Sequence, residues 1–397
     1  MNHRTRMKRL TLISSLIVAT LASTALLARA QYTAYDLGPG HAFGINDAGT
    51  VVGDSDTTGH AFSYSGGVMT DLGTLAYYSF ASGINSAGTI VGWSQNYGNG
   101  TCFASSYSNG HITLIGNLGG EGSGALAINS AGTIVGWSYP SDSYTYHAFS
   151  YSGGVMADLG SLSGGQSKAS GINTSGTIVG ESYTSGQTMH AFSYSNGHMT
   201  DLGTLGGTGE SWAFGINSAG TIAGYSSTTA GAVHAFSYSN GHMTDLGTLG
   251  GTHSEAYGIN DAGAIVGDST TSAAQHAFSY SGGIMTDLEP FLASIGMTGT
   301  STAEAIDANG DIVGYGTMAN GSTHAFLLVE VPEPSSIALG LCGAAALMIA
   351  RRRTQSALSI IGRSLHRLRL NRSDHRLARS QLNKPQPKVH PFRSAPG

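Results

Sequence analysis

Residues 170–207 read SGINTSGTIVGESYTSGQTMHAFSYSNGHMTDLGTLGG, and variants of this stretch recur along most of the chain. Its GIN phrase, changed to AIN or AID in two copies, begins at Gly44, Gly83, Ala127, Gly171, Gly215, Gly258 and Ala305. Successive copies therefore start 39, 44, 44, 44, 43 and 47 residues apart. A period near 44 residues makes the centre of the chain one repeat array.

Each copy contains two predicted hairpins. The turn after GIN ends in glycine in every copy, which predicts a positive φ that other residues adopt only with strain. The second hairpin turns at Gly-Gly or Asn-Gly, pairs that suit a type I′ turn. With Gly66-Gly67 as the loop, Phe62 lies opposite Asp71 and Tyr64 lies opposite Met69. The sequence thus predicts four short antiparallel strands in each repeat.

The two ends of the array complement each other. Six copies contain a fourth strand, but the seventh continues from His324-Ala325-Phe326 straight out of the array. The missing strand is found at residues 32–38, which read YTAYDLG ahead of the first GIN. This arrangement predicts an all-β fold, a seven-bladed β-propeller over residues 31–330 that is closed by an amino-terminal strand. The alternative, a β-solenoid, leaves that strand without a partner.

Charge is segregated along the chain. Residues 31–330 contain 21 Asp and Glu but only one basic residue, Lys168, which gives 1 − 21 = −20. This balance excludes ordinary nucleic-acid binding by phosphate neutralisation. The two cysteines, Cys102 and Cys342, fall in different predicted compartments, so we expect no intramolecular disulfide.

Residues 1–30 have the three parts of a secretory signal peptide. A basic start precedes an apolar run, and Ala28-Arg29-Ala30 provides the small residues of a cleavage site. We expect cleavage before Gln31. An uncleaved membrane anchor is the alternative, because the apolar run is close to the length at which the two are confused.

The composition changes abruptly at residue 331. Residues 331–353 contain Val331-Pro332-Glu333-Pro334, a predicted transmembrane helix at 335–350, and the cluster Arg351-Arg352-Arg353, which predicts a cytoplasmic far end. The remaining tail, residues 354–397, is basic and is predicted to be disordered. A basic amphipathic helix on an anionic membrane is the alternative for residues 356–370.

These patterns resemble two known families. Residues 331–353 resemble the PEP-CTERM sorting signal, in which the Pro-Glu-Pro motif is recognised by exosortase, a membrane-embedded processing enzyme. The array resembles the HAF repeat of extracellular bacterial proteins, although its second copy has Phe103-Ala104-Ser105 in place of His-Ala-Phe. The resemblance implies export to the surface or extracellular matrix of a Gram-negative bacterium, where exopolysaccharide is a possible partner. It implies no defined biochemical activity.

Histidine and aspartate recur at fixed places in the repeat. We predict a structural role for them, because an active site is usually unique within a fold. The residues are His60, His147, His190, His234, His276 and His324, with Asp36, Asp71, Asp158, Asp201, Asp245 and Asp287. Each Asp is expected to hydrogen-bond to a histidine across the hairpin. The Asn of each GIN is expected to cap its own turn by bonding to the backbone two residues further on.

No catalytic, cofactor or metal motif is recognised, so the primary prediction is a structural or adhesive surface protein rather than an enzyme. Asp54-Ser55-Asp56 lacks the spacing of a calcium loop and is interpreted as a solvated acidic turn. The alternative is a lectin or carbohydrate-active enzyme. It would stack sugars on aromatic residues of the least repetitive loops, namely Trp93, Tyr97, Tyr139 and Tyr144.

Overall fold

The computed structural model describes residues 31–75, 77–96, 100–141 and 143–331. These residues belong to one compact unit. Within it, every blade is a sheet of four antiparallel strands, and seven blades follow one another along the chain. The all-β, seven-bladed propeller predicted from the repeats is confirmed.

The first three complete blades use the following strands. Blade 1 contains the end of β1 (Gln31–Ile45), β2 (Val51–Ser55), β3 (Ala61–Ser65) and β4 (Val68–Gly73). Blade 2 contains β5 (Tyr78–Ile84), β6 (Ile90–Gln95), β7 (Cys102–Ser108) and β8 (His111–Gly116). Blade 3 contains β9 (Gly119–Ile128), β10 (Ile134–Pro140), β11 (His147–Ser152) and β12 (Val155–Asp158).

The remaining blades repeat this order. Blade 4 contains β13 (Ser167–Ile172), β14 (Ile178–Tyr183), β15 (Met189–Ser195) and β16 (His198–Asp201). Blade 5 contains β17 (Gly206–Ile216), β18 (Ile222–Thr228), β19 (Val233–Ser239) and β20 (His242–Asp245). Blade 6 contains β21 (Ser254–Ile259), β22 (Ile265–Thr270), β23 (Gln275–Ser281) and β24 (Ile284–Asp287). Blade 7 contains β25 (Met297–Ile306), β26 (Ile312–Met318), β27 (Thr323–Val331) and the start of β1.

The long strand β1 closes the ring. Its first half pairs with β27 and its second half pairs with β2, so blades 7 and 1 share one seven-stranded sheet. Asp36 lies opposite Phe326, as Asp71 lies opposite Phe62 in blade 1. The amino-terminal strand therefore takes the place of the fourth strand that the last repeat lacks, and the solenoid alternative is wrong.

The first strand of every blade faces the axis. These seven inner strands contact one another in a closed cycle, from β1 through β5, β9, β13, β17, β21 and β25 back to β1. One face of the propeller carries the GIN turns and the type I′ turns, and we call it the turn face. The opposite face carries the connections from second to third strands and between blades, and we call it the loop face.

The predicted turn geometry is present. Gly176, which ends a GIN turn, has φ of 85°, and the Asn196-Gly197 pair has φ values of 53° and 81°. Two positive φ values in succession are those of a type I′ turn. The predicted pairing of Tyr64 with Met69 is also confirmed.

The core lies between blades rather than within them. Phe149 of blade 3, for example, packs against Val91 and Ala104 of blade 2 and against Ala125 of its own blade. The phenylalanine of each His-Ala-Phe triplet lies at the equivalent position of its own blade. Five of these phenylalanines are fully buried: Phe149, Phe192, Phe236, Phe278 and Phe326. Stability therefore depends on every blade having a neighbour on both sides.

Blade 2 departs from this packing. Ser105 lies opposite Gly92, the place that phenylalanine takes in the other blades. The cluster between blades 1 and 2 contains Val52, Leu72 and Ile90 but no phenylalanine. A cavity of about 20 Å³, lined in part by Ser105 and Ser94, remains there. The local irregularity of the second copy is thus a packing defect.

The connection from blade 6 to blade 7 contains the one short α-helix of the described residues. This helix, α1 (Glu289–Leu292), is followed by a 3-10 turn at Ala293–Ile295. Phe291 of α1 meets Tyr32 of the closing strand edge-on, with ring centroids 5.3 Å apart.

No helix in the described part of the chain is long and apolar enough to span a membrane. The predicted signal peptide, transmembrane segment 335–350 and tail 354–397 lie outside those residues.

Candidate functional site

The repeated histidines and aspartates meet across the outer hairpin of six blades. In each pair the histidine Nδ1 lies 2.9 to 3.0 Å from a carboxylate oxygen: His60–Asp71, His147–Asp158, His190–Asp201, His234–Asp245, His276–Asp287 and His324–Asp36. Blade 2 has Phe103 and Leu114 at the corresponding places. These pairs occupy the outer part of the blades and do not converge on one site.

Each aspartate also fixes the end of its strand. Asp71 accepts a hydrogen bond from the backbone N–H of Gly73 at 2.7 Å, and Asp36 accepts the equivalent bond from Gly38 at 2.8 Å. Although partial burial raises it, hydrogen bonds from Gly73 and His60 leave the pKa of Asp71 below its ordinary value. The contacts of each aspartate with its histidine and with the backbone N–H therefore stabilise the blade locally.

The asparagines of GIN form a hydrogen-bonded ring on the turn face. Asn173 accepts the N–H of Thr177, four residues further on, at 2.9 Å, and so stabilises its own turn. The predicted bond to the backbone two residues further on is present at Asn46 and Asn85. In addition, its side-chain amide donates to the backbone carbonyl of Asn217 in the next blade at 3.2 Å. The same bond joins blades 1 to 7 in order, with Asn46, Asn85, Asn129, Asn173, Asn217 and Asn260 as donors. The sequence did not predict these contacts between blades.

The seventh position breaks the pattern, because Asp307 has no amide to donate. Asn309 supplies one instead, and its Nδ2 donates to the carbonyl of Asp47 at 3.1 Å. The backbone N–H of Ala308 donates to the Asp47 carboxylate. A cavity of about 150 Å³ lies beside the ring and is lined by Asn129, Asn173 and Asn217, among others.

The inner strands hold the side chains that differ most between repeats. In each blade a residue of the first strand lies opposite a residue of the second, and these pairs are His41–Asp54, Phe80–Trp93, Gly124–Trp137, Lys168–Glu181, Trp212–Tyr225, Glu255–Asp268 and Thr302–Tyr315. We call them the variable pairs. The scaffold around them is nearly constant, so they give each blade its own chemistry near the axis.

Blades 4 and 5 present a cation among aromatic rings. Lys168 Nζ lies 2.8 Å from a carboxylate oxygen of Glu181 and 5.3 Å from the ring centroid of Trp212. Burial raises the pKa of Glu181, whereas the charge of Lys168 acts to lower it. Trp212 in turn stacks on Tyr225 at 5.7 Å. The one Lys or Arg residue of the propeller therefore interacts with other residues of the propeller, through an ion pair and a cation–π contact.

Blades 6 and 7 present an acidic cluster. Burial, together with the charge of Glu255, raises the pKa of Asp268 to about 6. Burial and the charges of Asp268 and Glu255 raise the pKa of Glu304 to about 8. The Tyr257 hydroxyl donates to Glu255 at 2.7 Å. Like charges held near one another in a partly dehydrated site resist simultaneous ionisation, so Glu304 is protonated near neutral pH.

A larger cavity opens on the loop face between blades 2 and 3. Its volume is about 950 Å³, and the aromatic residues that line it are Trp137, Tyr139 and Tyr144. Trp137 and Tyr139 meet edge-on with centroids 5.9 Å apart, while Tyr144 is 99% exposed. Glu121 and Ser143 add polar groups to the wall. Flat apolar faces beside hydrogen-bonding groups are features of small-molecule binding sites.

The structure places only two of the four aromatic residues predicted to stack on sugars at this cavity. Tyr139 and Tyr144 line this cavity, but Trp93 stacks on Phe80 at 4.1 Å near the axis, and Tyr97 lies outside the described residues. Sequence reasoning did not single out Trp137, and it did not predict the pairing of first-strand with second-strand residues that forms the variable pairs. The available signal was the residue after the constant Val-Gly or Ala-Gly of each second strand, which changes from copy to copy.

Comparisons with known proteins found similarity in three-dimensional structure but not in sequence. No protein-family profile matches the chain, and no curated protein matches it in sequence. Solved structures do match. A puromycin-hydrolysing peptidase of Mycobacterium tuberculosis is 10% identical with a TM-score of 0.45, and the alignment covers 77% of this chain and 53% of the peptidase, about half its length.

Two further solved structures show the same level of similarity. TolB of Acinetobacter baumannii is 11% identical with a TM-score of 0.38, and the alignment covers 62% of this chain and 64% of TolB. The Aleuria aurantia lectin, in complex with Fucα1-6GlcNAc, is 14% identical with a TM-score of 0.36, and the alignment covers 63% of this chain and 93% of the lectin. At these values the matches concern the fold and leave function to be argued from the site.

Proposed function

We propose that this protein is an exported, surface-sorted adhesive propeller that binds a neutral glycan in the cavity between blades 2 and 3. The observation that carries the proposal is the aromatic lining of that cavity by Trp137, Tyr139 and Tyr144. Sugar rings bury their C–H faces against aromatic side chains while their hydroxyls bond to nearby polar groups. Residues 31–330 contain 21 acidic residues and one basic residue, and this negative charge disfavours binding of an anionic polysaccharide.

Export and sorting belong to the same proposal. The signal peptide of residues 1–30 would direct secretion, and the PEP-CTERM-like segment 331–353 would be recognised by an exosortase-like enzyme. The exopolysaccharide of the producing cell is the natural ligand class for a protein delivered there. No catalysis is needed for this role.

Binding to defined glycans tests the proposal. The full chain, purified in detergent, should bind a neutral exopolysaccharide or an array glycan without releasing products. Tyr144→Ala and Trp137→Ala should each weaken binding by about 10-fold, the scale of one lost aromatic contact. Tyr35→Ala, which removes an exposed tyrosine of blade 7 far along the chain from the cavity, should leave binding unchanged. Equal binding by all four proteins would refute the assignment of the cavity.

The acidic cluster favours one second candidate, a carbohydrate-active enzyme. Asp268 and Glu304 have pKa values raised to about 6 and about 8, and such separated values suit an acid and a base. Release of reducing sugars from a bound glycan, lost in Glu304→Gln, would support that candidate. Binding without release would support the adhesive role.

The intact mass of the protein from the cell surface tests export separately. A product that begins at Gln31 and ends near Pro332-Glu333-Pro334 is expected. A full-length product retained in the inner membrane would contradict sorting while leaving the glycan proposal open.

A further inference from the structure

The variable pair of blade 1 differs from the other six in joining a histidine to an aspartate. His41 Nδ1 lies 3.4 Å from Asp54 Oδ1. Asp56, which follows β2 on the loop face, brings a second carboxylate, and one atom from each residue lies within 4.8 Å of the others. Within the described residues, no other group of His, Cys, Asp or Glu side chains meets this criterion for holding a metal ion.

Two of these atoms have only each other as a polar neighbour, in a contact of 3.4 Å that is an ion pair only when His41 is protonated. Asp54 is only 8% exposed, and its Oδ1 makes no hydrogen bond to the described part of the protein. His41 Nδ1 is also buried without a hydrogen-bond partner. A buried polar atom without a hydrogen-bond partner costs about 1 to 3 kcal/mol. Neutral His41 and ionised Asp54 would each keep such an atom, and a cation between the two atoms would satisfy both. In contrast, the Nδ1 of His60 in the same blade is bonded to both oxygens of Asp71 at 3.0 Å.

We infer that His41, Asp54 and Asp56 bind a divalent transition-metal cation such as Zn²⁺. Two ligands held about 2.1 Å from a tetrahedral Zn²⁺ are about 3.4 Å apart, which matches the separation of His41 Nδ1 and Asp54 Oδ1. A nitrogen ligand with two carboxylates is a set that Zn²⁺ accepts, whereas Ca²⁺ prefers oxygen ligands alone. The remaining coordination position would face the solvent of the loop face.

The surroundings hold the histidine ring in place. The Tyr315 ring contacts it edge-on at 4.6 Å, and Phe43 stacks at 5.9 Å. Asp54 is fixed by the β-sheet pairing of β1 with β2, in which it lies opposite His41. Two of the three ligands therefore lie on strands rather than loops, and only Asp56 has to adjust. This site is separate from the glycan cavity, so the inference goes beyond the proposed function.

Zinc titration of the metal-free full chain tests the inference. Isothermal titration calorimetry should detect one Zn²⁺ site per chain and no Ca²⁺ site. His41→Phe keeps a ring against Tyr315 and Phe43 but removes the nitrogen, and Asp54→Asn keeps the shape but removes the charge. Each should weaken Zn²⁺ binding by about 100-fold or more, the scale expected on losing one of three ligands. Asp56→Asn, at an exposed position, should weaken it by about 10-fold.

His60→Phe is the matched control, because it removes a histidine bonded to a carboxylate in the same blade. It should bind Zn²⁺ like the unmodified chain. Circular dichroism should show that each variant keeps the β-sheet spectrum, and Asp56→Asn provides the comparison if a buried substitution fails to fold. Absence of Zn²⁺ binding would overturn the inference, and so would binding that survives both His41→Phe and Asp54→Asn.

Discussion

The carboxylate of Asp36 lies 2.9 Å from Nδ1 of His324, although 288 residues separate the two in sequence. The equivalent pair in blade 1, His60 and Asp71, is separated by 11 residues. The contact is chemically the same, but only the pair in blade 7 joins the two ends of the array. It therefore fixes the strand that closes the ring.

Asp36→Ala should loosen the closing strand selectively. The substitution removes the bonds to His324 and to the Gly38 N–H, at a cost of about 1 kcal/mol for a partly exposed pair. Local opening of residues 31–38 should become about 5-fold more frequent, which is the factor that a loss of about 1 kcal/mol gives. Hydrogen exchange of the β27 amides measures this opening. Asp71→Ala is the control and should leave exchange in β27 unchanged; faster exchange in both variants would mean that the pair has no special role in closure.

Ser105→Phe should stabilise the propeller. A phenylalanine at this position would occupy the place between blades 1 and 2 where other blades bury Phe149 or Phe192. Because its ring is larger than the cavity of about 20 Å³ that remains there, Tyr107 and Ile112, which line the cavity, have to move aside. The gain should be about 1 to 2 kcal/mol, since part of the apolar burial is offset by local adjustment. Urea unfolding measures it. Ser108→Phe, at the exposed end of the same strand, should give no gain, and destabilisation by Ser105→Phe would show that the cavity cannot accept a ring.

The acidic cluster should make stability fall as pH rises. Glu304 has a pKa of about 8 in the folded protein against an ordinary value of 4.5, so the folded state binds its proton more tightly than the unfolded state. Its favourable contribution is complete below about pH 4.5 and is lost as pH rises through about 8. Glu304→Gln should therefore gain about 1 to 3 kcal/mol relative to the unmodified chain at pH 9, and much less at pH 4.5.

Thermal unfolding at the two pH values checks this prediction. Glu210→Gln, which removes an exposed carboxylate of blade 5, should shift stability by a similar small amount at both pH values. A pH-independent effect of Glu304→Gln would contradict a raised pKa.

The contact between blades 7 and 1 that closes the asparagine ring can be tested by a rescue experiment. Asn309→Ala removes the bonds to the Asp47 carbonyl and to the Asp307 carboxylate, and should cost about 1 to 2 kcal/mol. The double variant Asp307→Asn with Asn309→Ala restores the asparagine and the alanine found at these positions in most other repeats. It should recover most of that loss in denaturant unfolding. Additive losses in a double-mutant cycle would show that the two positions act independently.

The sequence by itself determined the fold because a period near 44 residues, invariant turn glycines and an orphan YTAYDLG strand each have local causes. Turn geometry fixed the register of the outer hairpin, and the register fixed which histidine meets which aspartate. Even closure could be inferred, since a fourth strand was missing at one end and present at the other.

Only the tertiary structure decided what the repeats do together. The chain separates Lys168 from Trp212 and His41 from Tyr315, and only the closed cycle of inner strands brings these residues together around the axis. The carbonyl that each GIN asparagine contacts belongs to the next blade, so no local pattern reveals it. Contacts within a hairpin follow from its turn, whereas contacts between blades follow from the angle at which whole sheets pack, which no single repeat encodes.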